Sequence, residues 1–279
     1  MNLVVKSALA GATLGVAALG FAFGFVMPRS DAVLSARHPL QPSPLQAAAG
    51  DRAEGQRLSY VLGCRSCHGK SLTGAPMSLS ASTLMAPNLT RLAKRTDAEL
   101  DAALRQGLRP DGRSELAMPS QAYAHLTDGE AASLIAYVRS LPATGEVLTQ
   151  PPYGLILRMN LATGALKVQV DRHAETATAL EADAKTAPGR HIAQIACTQC
   201  HGPDLKGGQG YPAPDLTIRG YYDRKPFHAV MRTGEGLQRD MKLMSETASS
   251  SLSHLTDAEI DALYDYLIAR DVKLASRKP

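Results

Sequence analysis

The first pattern along the chain is an apolar run. From Ser7 to Pro28 there are 22 residues without a charge, "SALAGATLGVAALGFAFGFVMP", bounded by Lys6 and Arg29. A helix that long measures about 33 Å at 1.5 Å per residue, enough to cross a hydrocarbon core of roughly 30 Å. The pattern therefore predicts a transmembrane helix within residues 1–28. A cleaved signal peptide is the competing reading, but its apolar region is typically about 7–15 residues, shorter than this one. Pro39, Pro42 and Pro44 make residues 29–49 read as an extended stalk.

Past residue 50 the apolar positions take helical spacing. Leu134, Tyr137 and Val138, like Leu263, Tyr266 and Leu267, recur at i, i+3 and i+4 and form one stripe each. Both stripes follow a Thr-x-x-Glu capping box, Thr127 with Glu130 and Thr256 with Glu259, in which hydroxyl and carboxylate each accept from the other's backbone N–H. A third box, Thr96 with Glu99, opens a helix that stops at Gly107. Short helices are expected over 57–64 and 190–197. No alternating run reads as a strand, so the predicted elements are all-α. The Gly- and Pro-rich loops "GKSLTGAPMSLSASTLMAPN" and "GPDLKGGQGYPAPD" are too long for idle connectors in a compact domain.

These elements occur twice. "APNLT" at 86–90 answers "APDLT" at 213–217, Arg105-x-Gly107 answers Arg232-x-Gly234, and "HLTDGEAASLIAY" at 125–137 answers "HLTDAEIDALYDY" at 254–266. The order is preserved, which makes this an internal duplication with six extra residues between His68 and Pro87 in the first copy. Two similar domains are expected, 50–141 and 188–279, joined by a linker over 142–187. The linker's apolar stretch, "PPYGLILRMNLATGALKV", is too short to span a membrane. It is expected to pack between the two domains or to dock on a partner.

Composition sharpens the picture in two places. The net charge of +4 is spread thinly over 279 residues, with no basic face for nucleic acid. The chain has no Trp and only four Phe, Phe21, Phe23, Phe25 and Phe227, three of them in the N-terminal run. Two cores are left with one Phe between them, although aromatic side chains usually supply much of the buried area. Something other than side chains is expected to fill them.

The four cysteines supply the chemistry. "CRSCHGK" begins at Cys64 and "CTQCHGP" at Cys197, and there is no cysteine elsewhere. Cys-x-x-Cys-His suits thioether attachment of a haem, with both sulfurs bonded to its vinyl groups and the adjacent His reaching the iron. A zinc site would need both pairs to converge, yet they lie in separate repeats. A redox dithiol or a structural disulfide leaves the doubled His unexplained.

Cys-x-x-Cys-His-Gly, then "APNLT" or "APDLT", then a Met ahead of "HLTD" and a final helix, resembles class I cytochrome c domains. The whole arrangement resembles the membrane-anchored dihaem cytochromes c. The resemblance covers about 50–141 and 188–270 and implies two covalently bound haem c groups, on Cys64 and Cys67 and on Cys197 and Cys200. It implies His68 and His201 as proximal ligands, with Pro87 and Pro214 offering their carbonyls to them. It implies a Met on the opposite face of each haem. Met118, in "LAMPSQAYAHLTD", has the family's Met-Pro context. Met244 is followed by Ser, a departure from it. Met77, Met85 and Met241 are the competing thioethers, and His125 and His254 the rival imidazoles.

The function implied is single-electron transfer in a respiratory chain, as a subunit of a larger membrane oxidoreductase, without bond chemistry of its own. Its partners would be a dehydrogenase or bc-type donor and an oxidase or soluble cytochrome as acceptor. Its place would be the inner membrane, with the haem domains on the periplasmic side. A dihaem redox enzyme with one labile haem ligand, a peroxidase or sulfur-compound dehydrogenase, is the alternative.

Overall fold

A computed structural model describes residues 20–175, 180–207, 213–236 and 242–276. A π-turn at Ala22–Val26 leads into α1 (Met27–Ser35), α2 (Arg52–Val61) and α3 (Cys64–His68). Strands β1 (Ala75–Leu79) and β2 (Ser82–Ala86) follow, then α4 (Asp97–Asp101), which continues as a π-turn at Ala102–Gln106. The first half closes with α5 (Ser120–Tyr123) and α6 (Asp128–Ser140). The linker carries α7 (Leu155–Ala162) and α8 (Gln169–Glu175). The second half holds α9 (Ala187–Ile192), continuing as a π-turn at Ala193–Cys197, then α10 (Thr198–His201), α11 (Arg224–Thr233), α12 (Lys242–Ser250) and α13 (Asp257–Ser276).

Each repeat is built on a crossing of its first and last helices, α2 on α6 and α9 on α13. A glycine makes each crossing close. A Cβ on Gly55 would lie 1.9 Å from the Ser133 carbonyl oxygen, and one on Gly189 would lie 1.9 Å from that of Ala262. Only hydrogen fits at either point, so the helices meet backbone to backbone, with Tyr137 and Tyr266 beside the contact. All three capping boxes form with both reciprocal hydrogen bonds, at Thr96, Thr127 and Thr256. The helix from Thr96 ends on Gly107 in the left-handed region. One apolar cluster runs through both repeats, from Leu58, Tyr123 and Leu134 to Ile195, Leu263 and Tyr266.

The expected all-α fold is corrected. The extra residues of the first copy fold as the antiparallel hairpin β1–β2, with Ala75 opposite Ala86 and Leu79 opposite Ser82. Its turn residues Ser80 and Ala81 have φ of 48° and 56°. Such turns are usually signalled by Asn or Gly, and neither is present here to mark the hairpin.

The transmembrane helix is corrected as well. Among the described residues no helix is long and apolar enough to cross a membrane. Residues 1–19 of the expected anchor lie outside the described residues. The described end of the run continues past Pro28 into α1, which carries Arg29, Ser30 and Asp31 and packs on α7. Ser30 is buried there, and Asp31 pairs with Arg158 at 2.6 Å. Polar contacts to the protein hold this segment.

The stalk expected over 29–49 is partly helical and lies along the first repeat. His38 N–H donates to Gly112 O at 2.8 Å, and Leu45 and Ala47 are buried. The linker stretch does not lie between the two repeats. Leu157 and Leu161 of α7 pack on Leu84, Leu116 and Val168, with α1 alongside.

Candidate functional site

The two Cys-x-x-Cys-His segments fold alike. α3 and α10 are single turns that end on Gly69 and Gly202, whose φ of +78° and +80° is a conformation side chains rarely adopt. After each glycine the chain doubles back. Gly74 N–H donates to His68 O at 2.9 Å, and Gly207 N–H to His201 O at 3.0 Å. Leu72 and Leu205, eight residues after each first cysteine, are fully buried with φ of 59° and 60°. A buried leucine held left-handed costs about 1–2 kcal/mol. Both copies meet that cost at the same place, where the loop must turn tightly around the site.

The return of each loop brings a proline carbonyl onto the histidine. His68 Nδ1 is 2.9 Å from Pro87 O, and His201 Nδ1 is 2.9 Å from Pro214 O. A carbonyl only accepts, so each Nδ1 carries the proton and each Nε2 keeps its lone pair. Burial lowers both imidazole pKa values, against a smaller upward push from the proline carbonyls, and favours the neutral ring. A neutral, oriented imidazole with Nε2 free is what a haem iron needs from its proximal side.

The thiols fit the same group. All four cysteines are free. Burial and then the neighbouring Cys67 push the Cys64 thiol up to about 12, and burial and then Cys200 take Cys197 to about 12. Such sites disfavour a thiolate and suit an uncharged thioether.

Met118 and Met244 are half-buried against the apolar cluster that holds Leu62, Ile195 and Cys197. Met118 lies in the irregular segment before α5, and Met244 lies on α12. Met77 packs on the separate cluster of Leu84, Leu116 and Leu157. Met85 is on β2, and Met241 is outside the described residues. His254 stacks on Tyr60 at 4.1 Å between ring centroids, and His125 is exposed.

The repeated Arg-x-Gly and His-Leu-Thr-Asp motifs meet in space. Arg105 Nη1 reaches Asp128 Oδ1 at 2.7 Å, and Arg232 Nη2 reaches Asp257 Oδ1 at 2.6 Å. Each pair closes the base of the segment carrying Met118 or Met244.

Sequence reasoning missed the residues between the repeats. Tyr123 is buried, and its hydroxyl donates to Leu62 O at 2.7 Å, two residues before Cys64. Its helix, α5, packs on Ala193–Cys197 and on α10 of the second repeat. Burial, then the thiols of Cys64, Cys67 and Cys200, hold its hydroxyl well above the usual phenol range. Tyr123 thus lies within electrostatic reach of both cysteine pairs. The signal was faint: the corresponding residue of the second copy is Leu252.

Two copies of one attachment turn, each with a buried, oriented histidine, define a c-type cytochrome with two haem sites. Residues 52–142 match the cytochrome c family, and residues 184–267 match the family described as cytochrome C oxidase, cbb3-type, subunit III. The chain is a dihaem cytochrome c, an electron-transfer protein with one haem c bound through Cys64 and Cys67 and a second through Cys197 and Cys200. It is similar to the fructose dehydrogenase cytochrome subunit of Gluconobacter japonicus, with 27% identity over 274 residues and 85% of this chain aligned. The match spans 56% of the length of that relative.

Proposed function

We propose that the chain is the electron-transfer subunit of a larger oxidoreductase, working on the periplasmic side and delivering electrons one at a time to a respiratory chain. In this reading His68 with Met118 would hold the iron of the first haem, and His201 with Met244 that of the second. Bound haem c supplies one-electron chemistry at a potential raised by Met/His ligation. The protein's own part is to fix the rings through Pro87 and Pro214, keep both sites dry, and present them to partners. The observation that carries the reading is the doubled Nδ1–carbonyl hydrogen bond at 2.9 Å, which orients both imidazoles alike. Two matched sites suit electron passage better than a site adapted for substrate.

The name of the relative makes a sugar dehydrogenase the first donor class to test, with an oxidase or soluble cytochrome as acceptor. The experiment combines carbon monoxide binding with reduction by a dehydrogenase-containing fraction given fructose. Two six-coordinate haems should ignore carbon monoxide and be reduced in one-electron steps. Rapid carbon monoxide binding to one haem, together with peroxide turnover, would replace the carrier reading with that of an enzyme.

A further inference from the structure

The linker bonds to the segment that carries Met118. Val168 is buried beside Leu116, and α8 begins directly after it at Gln169. Gln169 N–H donates to Glu115 O at 3.0 Å, and its side-chain Nε2 donates to Leu116 O at 3.2 Å. Val170 N–H donates to Ser114 Oγ at 3.1 Å, and His173 Nε2 lies 3.0 Å from Ser120 Oγ. These contacts fall on both sides of Met118. Gly107 makes room for them, since a Cβ there would lie 2.6 Å from the Gln169 Cβ.

Backbone polar groups buried away from water need partners. In the irregular segment between Gly107 and α5 the carbonyls of Gly107, Arg109, Arg113 and Met118 accept from the segment's own N–H groups, whereas those of Glu115 and Leu116, just before Met118, accept from Gln169 of the linker. The second repeat meets the same need differently, because Met244 lies on α12, whose helical bonds are internal. Gln169 is 1% exposed, a burial that a glutamine acting only as connector would not require.

We propose that the linker is a working part of the first haem site, with Gln169 as the positioning residue that holds residues 114–120 and keeps Met118 in place as sixth ligand. The first haem then has a thioether braced by the linker, while the second has its thioether on α12, which packs on α11. The proposal rests on the reading of Met118 and Met244 as ligands.

The test uses the full haem-loaded chain. In Gln169→Leu the volume is kept and the side-chain donor is lost. The first haem's sulfur-to-iron charge-transfer band should weaken, its potential should fall, and imidazole should displace its ligand faster, with the second haem unchanged. Ser114→Ala, a milder change, should act in the same direction and less strongly, and it decides the matter if Gln169→Leu does not accumulate. Met118→His is run in parallel. An altered first-haem spectrum there, with Gln169→Leu and Ser114→Ala both silent, overturns the linker proposal alone. An unaltered spectrum in Met118→His overturns the ligand reading and the linker proposal with it. Equal effects of Gln169→Leu on both haems would also overturn the proposal, since they mean general loosening.

Discussion

His191 Nε2 lies 2.8 Å from Glu130 Oε1, joining the first helix of the second repeat to the capping box of the first. The mirror contact joins Arg57 to Glu259, with Nη1 at 2.7 Å and Nη2 at 2.9 Å. Arg57 and His191 each follow by two residues the glycine at their helix crossing, and Glu130 and Glu259 are each the third residue of α6 and α13. The repeats therefore face one another about a pseudo-twofold axis, each lending its capping glutamate to the other. The two contacts differ in chemistry, because one glutamate meets a guanidinium and the other an imidazole.

The His191 contact makes part of the stability acid-sensitive. Burial pushes the Glu130 carboxyl up, but hydrogen bonds from His191 and from the Thr127 backbone outweigh it and hold the group below the usual carboxylate range. A lowered folded value means the contribution is complete above the unfolded value of about 4.3 and is lost as pH falls through the folded one. Glu130→Gln keeps the capping geometry and cannot ionise. Urea melts across the acid range should show a shallower loss of stability in Glu130→Gln than in the wild type. Parallel acid limbs would show that Glu130 carries no linkage.

The helix crossings should tolerate no side chain. Gly55→Ala and Gly189→Ala place a methyl group 1.9 Å from a backbone oxygen and should each cost at least the about 1–3 kcal/mol typical of overpacking. Gly129, in the first turn of α6, is open: a Cβ placed there would meet nothing within 4 Å. At that position Ala should be neutral or stabilising by about 0.4–1 kcal/mol. Thermal melts of the three variants check the contrast.

Much of this was legible because the sequence repeats. Cys-x-x-Cys-His marked both attachment turns, and the Thr-x-x-Glu boxes marked both final helices, since each is a local signal whose partners lie within a few residues. The hairpin escaped because Ser80 and Ala81 make its turn without Gly or Asn. The pairing of Arg105 with Asp128 was present as two repeated motifs, but their meeting is a tertiary fact. Gln169 had no signal at all: a glutamine in a linker reads as solvated until the carbonyls of Glu115 and Leu116 are seen to need it. The apolar run suggested a span because length and hydropathy take no account of distant partners, and its described end, Ala22–Val26 with the start of α1, packs on α7 of the linker.

The two arginine clamps should differ in strength. Arg105 also binds Asp101 through Nε at 2.5 Å and Nη2 at 2.9 Å, and the Asp101 side chain is 3% exposed. Arg105→Leu strands that carboxylate and should cost about 3–5 kcal/mol. Arg232 pairs with an Asp257 that is 81% exposed, and it donates to Ser253 O and Leu255 O. Arg232→Leu should cost less, about 1–2 kcal/mol, since the pair is screened and the carbonyl bonds are modest. Asp101→Asn added to Arg105→Leu should recover part of the loss. Denaturant titrations read at the haem absorbance test the order, and equal costs would remove the role given to Asp101.

Tyr123 supplies the last prediction, because burial alone does not account for it. Leu252 stands at the corresponding position and is equally buried, so an apolar residue suffices for that part of the interface. A tyrosine adds a ring beside α10 and a hydroxyl that must be satisfied, and Leu62 O satisfies it. Removing the hydroxyl in Tyr123→Phe should cost about 1 kcal/mol, the usual net worth of such a bond, and leave the ring in place. Tyr123→Leu removes the ring and opens a cavity between the repeats, with a cost of roughly 2–4 kcal/mol by analogy with large-to-small core changes. If the ring is also the medium between the two sites, redistribution of one electron within the chain after flash reduction should be slower in Tyr123→Leu and unchanged in Tyr123→Phe. No bond forms or breaks at Tyr123, and its proton stays on the hydroxyl. Equal rates in the wild type and both variants, with both haems retained, would confine Tyr123 to packing.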